Sequence, residues 1–205
     1  MELIDTHTHL YLDQFEEDRD EMIRRALEVG VKQMYLPNID SSSIDAMLQL
    51  ESAYPEHCIA MMGLHPCSVK ENYKEELAIV EEWLEKRAFA AVGEIGIDLY
   101  WDKSFINEQK EAFLIQCEWA KKLGVPIVIH TREATPLAID LVREVKDERL
   151  RGIFHCFGGT LEEAEAIIDL GFYLGIGGVL TFPKSGLDNV IENVDLQHIV
   201  LETDS

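Results

Sequence analysis

The chain has 205 residues, of which 47% are apolar, 39 are acidic and 18 are basic, so its formal net charge is −21 at pH 7. A chain of this length buries one substantial core, and we predict a single domain over residues 1–205. The acidic balance argues against nucleic-acid binding through a broad basic surface, although it leaves open a nucleic acid engaged at one local site. No apolar run approaches the roughly 18 residues of a membrane helix and the acidic start is unlike a signal peptide, so we expect a cytoplasmic protein with no membrane partner.

Short β-rich runs alternate with longer amphipathic segments along the whole chain. The periodicity predicts strands at 3–7, 33–36, 59–63, 90–94, 127–130, 152–155, 173–176 and 198–202. Helices are predicted at about 15–29, 44–54, 75–86, 107–123, 137–145 and 160–170. The last of these helices begins with a capping box, Thr160 to Glu163.

Eight strands alternating with helices imply right-handed crossovers and a parallel sheet. Eight is also the number of strands that closes a TIM-type (β/α)8 barrel. An open doubly wound sheet is the alternative, but no Gly-x-Gly-x-x-Gly follows the first strand to bind a dinucleotide. We therefore predict an α/β protein with a TIM-type barrel.

The first strand runs into Asp5-Thr6-His7-Thr8-His9. In an extended segment alternate side chains share a face, so His7 and His9 can hold one metal ion between them. His-x-His also occurs at exposed strand ends without any metal. The pair is therefore only half of a candidate site.

Further potential ligands follow the other predicted strands. The full set is His7, His9, Glu94, His130, His155 and Asp204. The carboxyl ends of barrel strands converge on one mouth, where active sites are built, and the alternation of side chains places these residues on the inward face. A single histidine is more often a hydrogen-bonded core or rim residue. Four imidazoles and two carboxylates exceed the four ligands of one structural zinc, so we predict a two-metal site with one bridging carboxylate.

The segments IDTHTHL, GLHP, VGEIGID, VIHTRE, FHCFGG and LETDS resemble those of the TatD family of metal-dependent hydrolases, in the same order across the chain. This family belongs to the amidohydrolase-like group of barrels. The resemblance implies a TIM-type barrel, a divalent-metal site and deoxyribonuclease activity, in several members at a 3′ end. Carried over by position, it implies one metal on His7, His9 and Asp204, a second on His130 and His155, and a bridging Glu94 at the catalytic centre.

The chemistry expected of such a site is phosphodiester hydrolysis of DNA, single-stranded or at its 3′ ends. Asp204 could double as the general base. His65 could hydrogen-bond a phosphate or the leaving oxygen; alternatively it is a loop histidine fixed beside Pro66. Arg132 could bind a phosphate through a bidentate contact, or pair with an acid such as Glu202.

Several neighbours of these residues are candidates for supporting roles. The acids that could fix imidazole tautomers are Asp5, Asp98 and Glu202. Tyr100, Trp101 and Phe105 follow the strand of Glu94 and could stack on an unpaired base, although core or lid packing explains them equally well. The family more often has aromatic residues directly after this aspartate, whereas here Leu99 intervenes.

The sequence stops at Ser205, directly after the aspartate of strand eight, whereas members of the family usually continue. We therefore expect a barrel lacking the final helix, with an uncovered flank of strand eight that favours self-association. The chain is then a fragment, or a partner or swapped segment completes it.

Two other functions remain open at this point. One is a two-metal hydrolase of a small amide, ester or aminoacyl substrate, which the net charge favours. The other is an inactive truncated barrel serving as an interaction module. The metal is also open, because imidazole and carboxylate ligands suit Mn²⁺ or Zn²⁺ better than Mg²⁺, while family habit points to Mg²⁺.

Overall fold

Eight β-strands alternate with α-helices in the computed structural model, which describes residues 1–205. The strands are β1 (Leu3–Asp5), β2 (Val31–Pro37), β3 (Cys58–Met61), β4 (Val92–Asp98), β5 (Ile127–Arg132), β6 (Gly152–Phe154), β7 (Tyr173–Ile176) and β8 (Ile199–Leu201). The helices are α1 (Arg19–Glu28), α2 (Ile44–Ala53), α3 (Tyr73–Lys86), α4 (Ile106–Leu123), α5 (Thr135–Val145), α6 (Leu161–Asp169) and α7 (Leu187–Ile191).

All strand pairs are parallel, in the orders β1-β2-β3 and β4-β5-β6-β7-β8. The two sheets meet at both edges. Next to β3 and β4, Met62 pairs with Val92 in an isolated parallel bridge. Beyond β1 and β8, the Thr6 amide donates to the Leu201 carbonyl at 3.0 Å. This arrangement confirms the predicted TIM-type α/β fold.

Local sequence signals set most of the helix ends. The capping box of α6 is formed, because Thr160 Oγ1 accepts from the Glu163 amide and Glu163 Oε2 accepts from the Thr160 amide. Helix α4 ends at Gly124, which has a φ of 71° in the left-handed region that favours glycine. Helix α7 was not predicted, because five residues are too few for a helical period to be visible in the sequence.

Strand β4 differs from its prediction in a way that matters for the site. It was predicted to end at Glu94, but it runs from Val92 to Asp98 with every residue buried, so Glu94 lies inside the strand rather than at its end. Strand β5 likewise continues past His130 to Arg132. A strand buried on both faces shows no alternation of polar residues from which its end could be read.

The close approach of β4 and β5 depends on Gly96. Its φ is 152°, and a Cβ atom at this position would lie only 2.0 Å from the His130 carbonyl oxygen. Only glycine fits here, so it brings the backbone of β5 against β4 at the level of His130.

Apolar side chains between the strands and the helices form the main core. A smaller group, Met61, Ala91 and Val128, packs separately. Val128 precedes His130 by two residues on β5, so the two side chains share the face of the strand that points into the barrel. None of the helices is long and apolar enough to cross a membrane.

Candidate metal centre

The carboxylate of Glu94 lies at the centre of the candidate site, and its side chain is only 2% exposed. On one side, its Oε2 atom lies 3.1 Å from His7 Nε2 and 3.4 Å from His9 Nε2. Asp204 Oδ1 lies 3.7 Å from the His7 nitrogen and 3.9 Å from the His9 nitrogen. The structure therefore brings together, on the Oε2 side, the three residues predicted for one metal.

The Oε1 atom of Glu94 faces a different pair of imidazoles. It lies 2.8 Å from His130 Nδ1 and 2.9 Å from His155 Nε2. Each carboxylate oxygen thus faces its own group of nitrogen donors. This is the arrangement that a bridging carboxylate between two cations requires.

The remaining ring nitrogens of His130 and His155 point to carboxylates. His130 Nε2 lies 3.0 Å from Asp98 Oδ2, and His155 Nδ1 lies 3.4 Å from Glu202 Oε1. The Asp98 contact fixes the tautomer of the neutral His130 ring, which leaves its inner nitrogen available to a metal ion, whereas Glu202 faces His155 without a hydrogen bond to its Nδ1. The structure thus puts Asp98 and Glu202 where the sequence predicted supporting acceptors.

A third imidazole is held by a residue that sequence reasoning missed. The Tyr11 hydroxyl donates to the Pro37 carbonyl at 2.5 Å, so its oxygen is free to accept from His9 Nδ1, 2.9 Å away. This leaves the lone pair of His9 Nε2 directed at the centre. The only signal in the sequence is that His7, His9 and Tyr11 are spaced two residues apart, and a buried tyrosine is usually explained by core packing.

Asp5 does not contact an imidazole ring, so the suggestion that it fixes a tautomer is wrong. Its Oδ1 accepts from the backbone amides of His7 at 3.2 Å and Thr203 at 3.0 Å, and its Oδ2 accepts from Thr203 Oγ1 at 2.6 Å. Asp5 therefore ties β1 to the segment after β8. It holds the His7 and Asp204 loops side by side through their backbones.

His65 also points into the centre, but its proton lies on the other nitrogen. Its Nδ1 accepts from the Cys67 amide at 3.0 Å, so in the neutral ring the proton is on Nε2. That Nε2 lies 3.4 Å from Glu94 Oε1. His65 in its neutral form therefore presents a hydrogen-bond donor to the site, in contrast to His9, whose Nδ1 contact with Tyr11 leaves a lone pair on Nε2.

Arg132 forms no salt bridge with any carboxylate, so the suggested pair with Glu202 is wrong. Its Cζ atom lies 3.9 Å from the ring centroid of Tyr100. Glu202 Oε1 instead accepts from the Cys156 amide and faces His155. The guanidinium group stacks on an aromatic ring and keeps its N–H edges available.

Burial and the neighbouring charges have opposite effects on the pKa values of the residues at this centre. Burial raises the pKa of Glu94, but the imidazoles around it, led by His155, outweigh burial and hold the pKa well below its usual range. Burial lowers the pKa of His155, yet Glu94 and Glu202 raise it well above the usual value. For His7 the effect of burial, together with that of the nearby His155, is larger than that of Glu94, so its pKa is lowered to about 4. The metal-free site therefore holds an ionised carboxylate against imidazolium at neutral pH.

The donor atoms have the spacing that a cation requires. The Nε2 atoms of His7 and His9 are 3.2 Å apart, close to the roughly 3.3 Å edge of a tetrahedron with metal–nitrogen bonds of about 2.0–2.1 Å. A cation placed between the two nitrogens could bind both of them at once. The residues present therefore fit a divalent metal, and the fold with this donor set defines the class of metal-dependent hydrolases.

The chain belongs to the TatD family: the family model described as TatD related DNase matches residues 4–205. It is 34% identical over 203 residues to the metal-dependent hydrolase YabD of Bacillus subtilis, covering 98% of this chain and 79% of that protein. It is 31% identical over 205 residues to the 3′-5′ ssDNA/RNA exonuclease TatD of Edwardsiella piscicida, covering 99% of this chain and 79% of that one. The crystal structure of YjjV, a TatD homologue of Escherichia coli, matches with a TM-score of 0.91 at 31% identity, covering 98% of this chain and 78% of that one. The family resemblance in the six motifs is thus confirmed.

Proposed function

We propose that this metal-dependent hydrolase cleaves phosphodiester bonds of nucleic acid and removes nucleotides from the 3′ end of a single strand. One observation carries the proposal. Two groups of metal donors lie on the two oxygens of Glu94, and the His65 nitrogen that bears a proton also points at this carboxylate. A phosphodiester needs both, since its oxygens must be neutralised while its leaving oxygen departs. The exonuclease name of the 31% identical Edwardsiella relative supports the same substrate class.

In this proposal two divalent cations bind at the centre. His7, His9 and Asp204 would hold one, His130 and His155 would hold the other, and Glu94 would be a ligand of both. When bound, such a pair lowers the pKa of a water molecule and polarises phosphoryl oxygens. The nitrogen-rich donor set favours Mn²⁺ or Zn²⁺, and Mg²⁺ remains an alternative at the side that carries two carboxylates.

Three side chains of this chain then act on the substrate. The Asp204 carboxylate is 38% exposed and receives no protein hydrogen bond, so it can take the proton of the attacking water. His65 Nε2–H donates to a phosphoryl or leaving oxygen. Arg132 presents its N–H edges to a phosphate, because its flat face already lies on Tyr100.

The test is release of mononucleotides from a 5′-labelled single-stranded oligonucleotide, with Mg²⁺, Mn²⁺ or Zn²⁺ and with a chelator. The site variant is His130→Ala with His155→Ala. The matched control is His57→Ala with His198→Ala, the two histidines of the chain that precede β3 and β8 at the opposite end of the strands. We expect metal-dependent shortening from the 3′ end in the wild type and the control, and none in the site variant.

A wild type that binds metal but leaves the oligonucleotide intact would contradict the proposal. Turnover of a simple aryl ester or amide by the same preparation would then favour a small-molecule hydrolase. Equal loss of activity in both double variants would show that the histidines act through folding and not through the site.

A further inference from the structure

A group of three side chains at the mouth of the barrel has no structural partner that explains it. Tyr100 and Trp101 follow β4 after the intervening Leu99 and are 49% and 68% exposed. Their rings lie edge to face, with centroids 4.9 Å apart at 87°. Arg132, at the end of β5, lies over Tyr100 at 3.9 Å and 5.3 Å from the Trp101 centroid. We call Tyr100, Trp101 and Arg132 the aromatic platform.

Asp98 fixes the aromatic platform relative to the metal centre. Its Oδ1 accepts from the backbone amides of Tyr100 at 2.9 Å and Trp101 at 3.0 Å. Its other oxygen, Oδ2, lies 3.0 Å from His130 Nε2, and His130 Nδ1 is 2.8 Å from Glu94. One buried carboxylate therefore holds both the imidazole of the site and the start of the aromatic loop. A molecule seated on the platform lies beside the reacting centre in a defined position.

The charges of the aromatic platform favour an anionic, planar ligand. Arg132 has no carboxylate partner, although the chain carries 39 acids against 18 bases. The nearby cations are neutralised, since Lys70 pairs with Asp102 at 3.0 Å and Lys103 with Glu133 at 3.5 Å. A free guanidinium beside an exposed indole offers a hydrogen-bond donor for phosphate and a flat apolar face for a ring.

We propose that the aromatic platform binds the unpaired nucleobase of the substrate's terminal nucleotide, which stacks on Trp101 while Arg132 contacts the adjoining phosphate. This proposal rests on the nuclease function proposed above and adds the recognition of the base. Stacking tolerates every base, because each has a flat π face, but it requires that the base be unpaired. The platform would thus select single-stranded ends without selecting sequence.

The experiment compares two 5′-labelled single-stranded oligonucleotides that differ only at the 3′-terminal nucleotide. One ends in an ordinary nucleotide and the other in an abasic tetrahydrofuran nucleotide. We measure kcat/KM for removal of that last nucleotide, in Mn²⁺, by the wild type, Trp101→Ala and Trp101→Phe. Tyr173→Ala is the control, since Tyr173 is an exposed aromatic residue at the start of β7, at the opposite end of the barrel.

We expect the wild type and the control to remove the ordinary nucleotide about 5- to 100-fold faster than the abasic one, the range that stacking of one base supplies. Trp101→Ala should lose this preference by slowing only on the ordinary nucleotide, and Trp101→Phe should retain most of it. Equal rates on both substrates by the wild type, or a preference that survives in Trp101→Ala, would overturn the platform while the nuclease function stands. A metal-loaded wild type that cleaves neither oligonucleotide would remove the nuclease function, and the platform with it.

Discussion

Replacing Tyr11 by phenylalanine removes one hydroxyl group and leaves the ring packing in place. Two hydrogen bonds disappear, the one donated to the Pro37 carbonyl and the one accepted from His9 Nδ1. Loss of the donor to a buried carbonyl should lower the free energy of unfolding by about 1–3 kcal/mol. Loss of a partner that orients a metal ligand typically weakens metal affinity about 10- to 100-fold. Because His9 is 13% exposed, water can replace part of the contact, and we expect a loss of about tenfold.

Calorimetric titration of the metal-free protein with Mn²⁺ or Zn²⁺ measures this change directly, and urea denaturation with a chelator measures the stability. The control is Tyr54→Phe, whose hydroxyl donates to the exposed Asp20 at 2.7 Å and should alter neither quantity. Imidazole ¹⁵N shifts add a structural readout, since His9 should keep its proton on Nδ1 only while Tyr11 is present. Unchanged metal affinity together with an unchanged His9 tautomer would refute the positioning role.

Three further predictions concern the centre itself. His65→Ala should reduce kcat about 10²- to 10³-fold with unchanged metal affinity in a titration, because in the proposed function this imidazole donates a hydrogen bond and does not hold the metal. A matching loss of metal affinity would make it a ligand instead. Glu94→Gln should destabilise the metal-free protein by about 1–3 kcal/mol in urea, since it leaves Glu202 as the only carboxylate that faces the buried His155 imidazolium, and an unchanged midpoint would contradict the ion pair with Glu94. Folding raises the pKa of His130 and His155 above the ordinary value of 6.5. The stability that their protonated forms give the metal-free protein is therefore complete below about pH 6.5, and it is lost as the pH rises through the raised pKa values. Metal binding near neutral pH must displace these protons, so titrations in two buffers of different ionisation enthalpy should differ, and identical heats would exclude proton release.

The parts of the centre that sequence reasoning predicted are those governed by short spacing. His7 and His9 share a face because extended backbone repeats every two residues, and Glu94, His130 and His155 follow from the convergence of parallel strands. These rules do not give the position of a residue along its strand relative to the neighbouring strands. Glu94 lies in the interior of β4 and not at its end, because both faces of that strand are buried and no polar alternation marks where it stops.

The sequence likewise predicts only some of the contacts around the imidazoles. An acid close in sequence to a predicted ligand is easy to propose, and Asp98, near Glu94, and Glu202, near Asp204, do face His130 and His155. Asp5 also lies close in sequence to a predicted ligand, His7, yet it binds backbone amides of two different loops, which only the closure of β1 on β8 brings together. Tyr11 was overlooked because its partner, the Pro37 carbonyl, comes from β2 and no local pattern marks it.

A net charge of −21 repels a nucleic-acid substrate, but salt screening limits the distance over which this repulsion acts. At about 0.1 M salt the Debye length is roughly 10 Å, so only charges near the mouth act strongly on a bound strand. There the free guanidinium of Arg132 and the cations proposed at Glu94 determine the local sign. A protein that grips many phosphates needs a long basic surface, and its affinity falls steeply with salt. An enzyme that engages only the terminal nucleotide needs few phosphate contacts, so an acidic body fits removal of single nucleotides from a strand end better than cleavage within a long duplex.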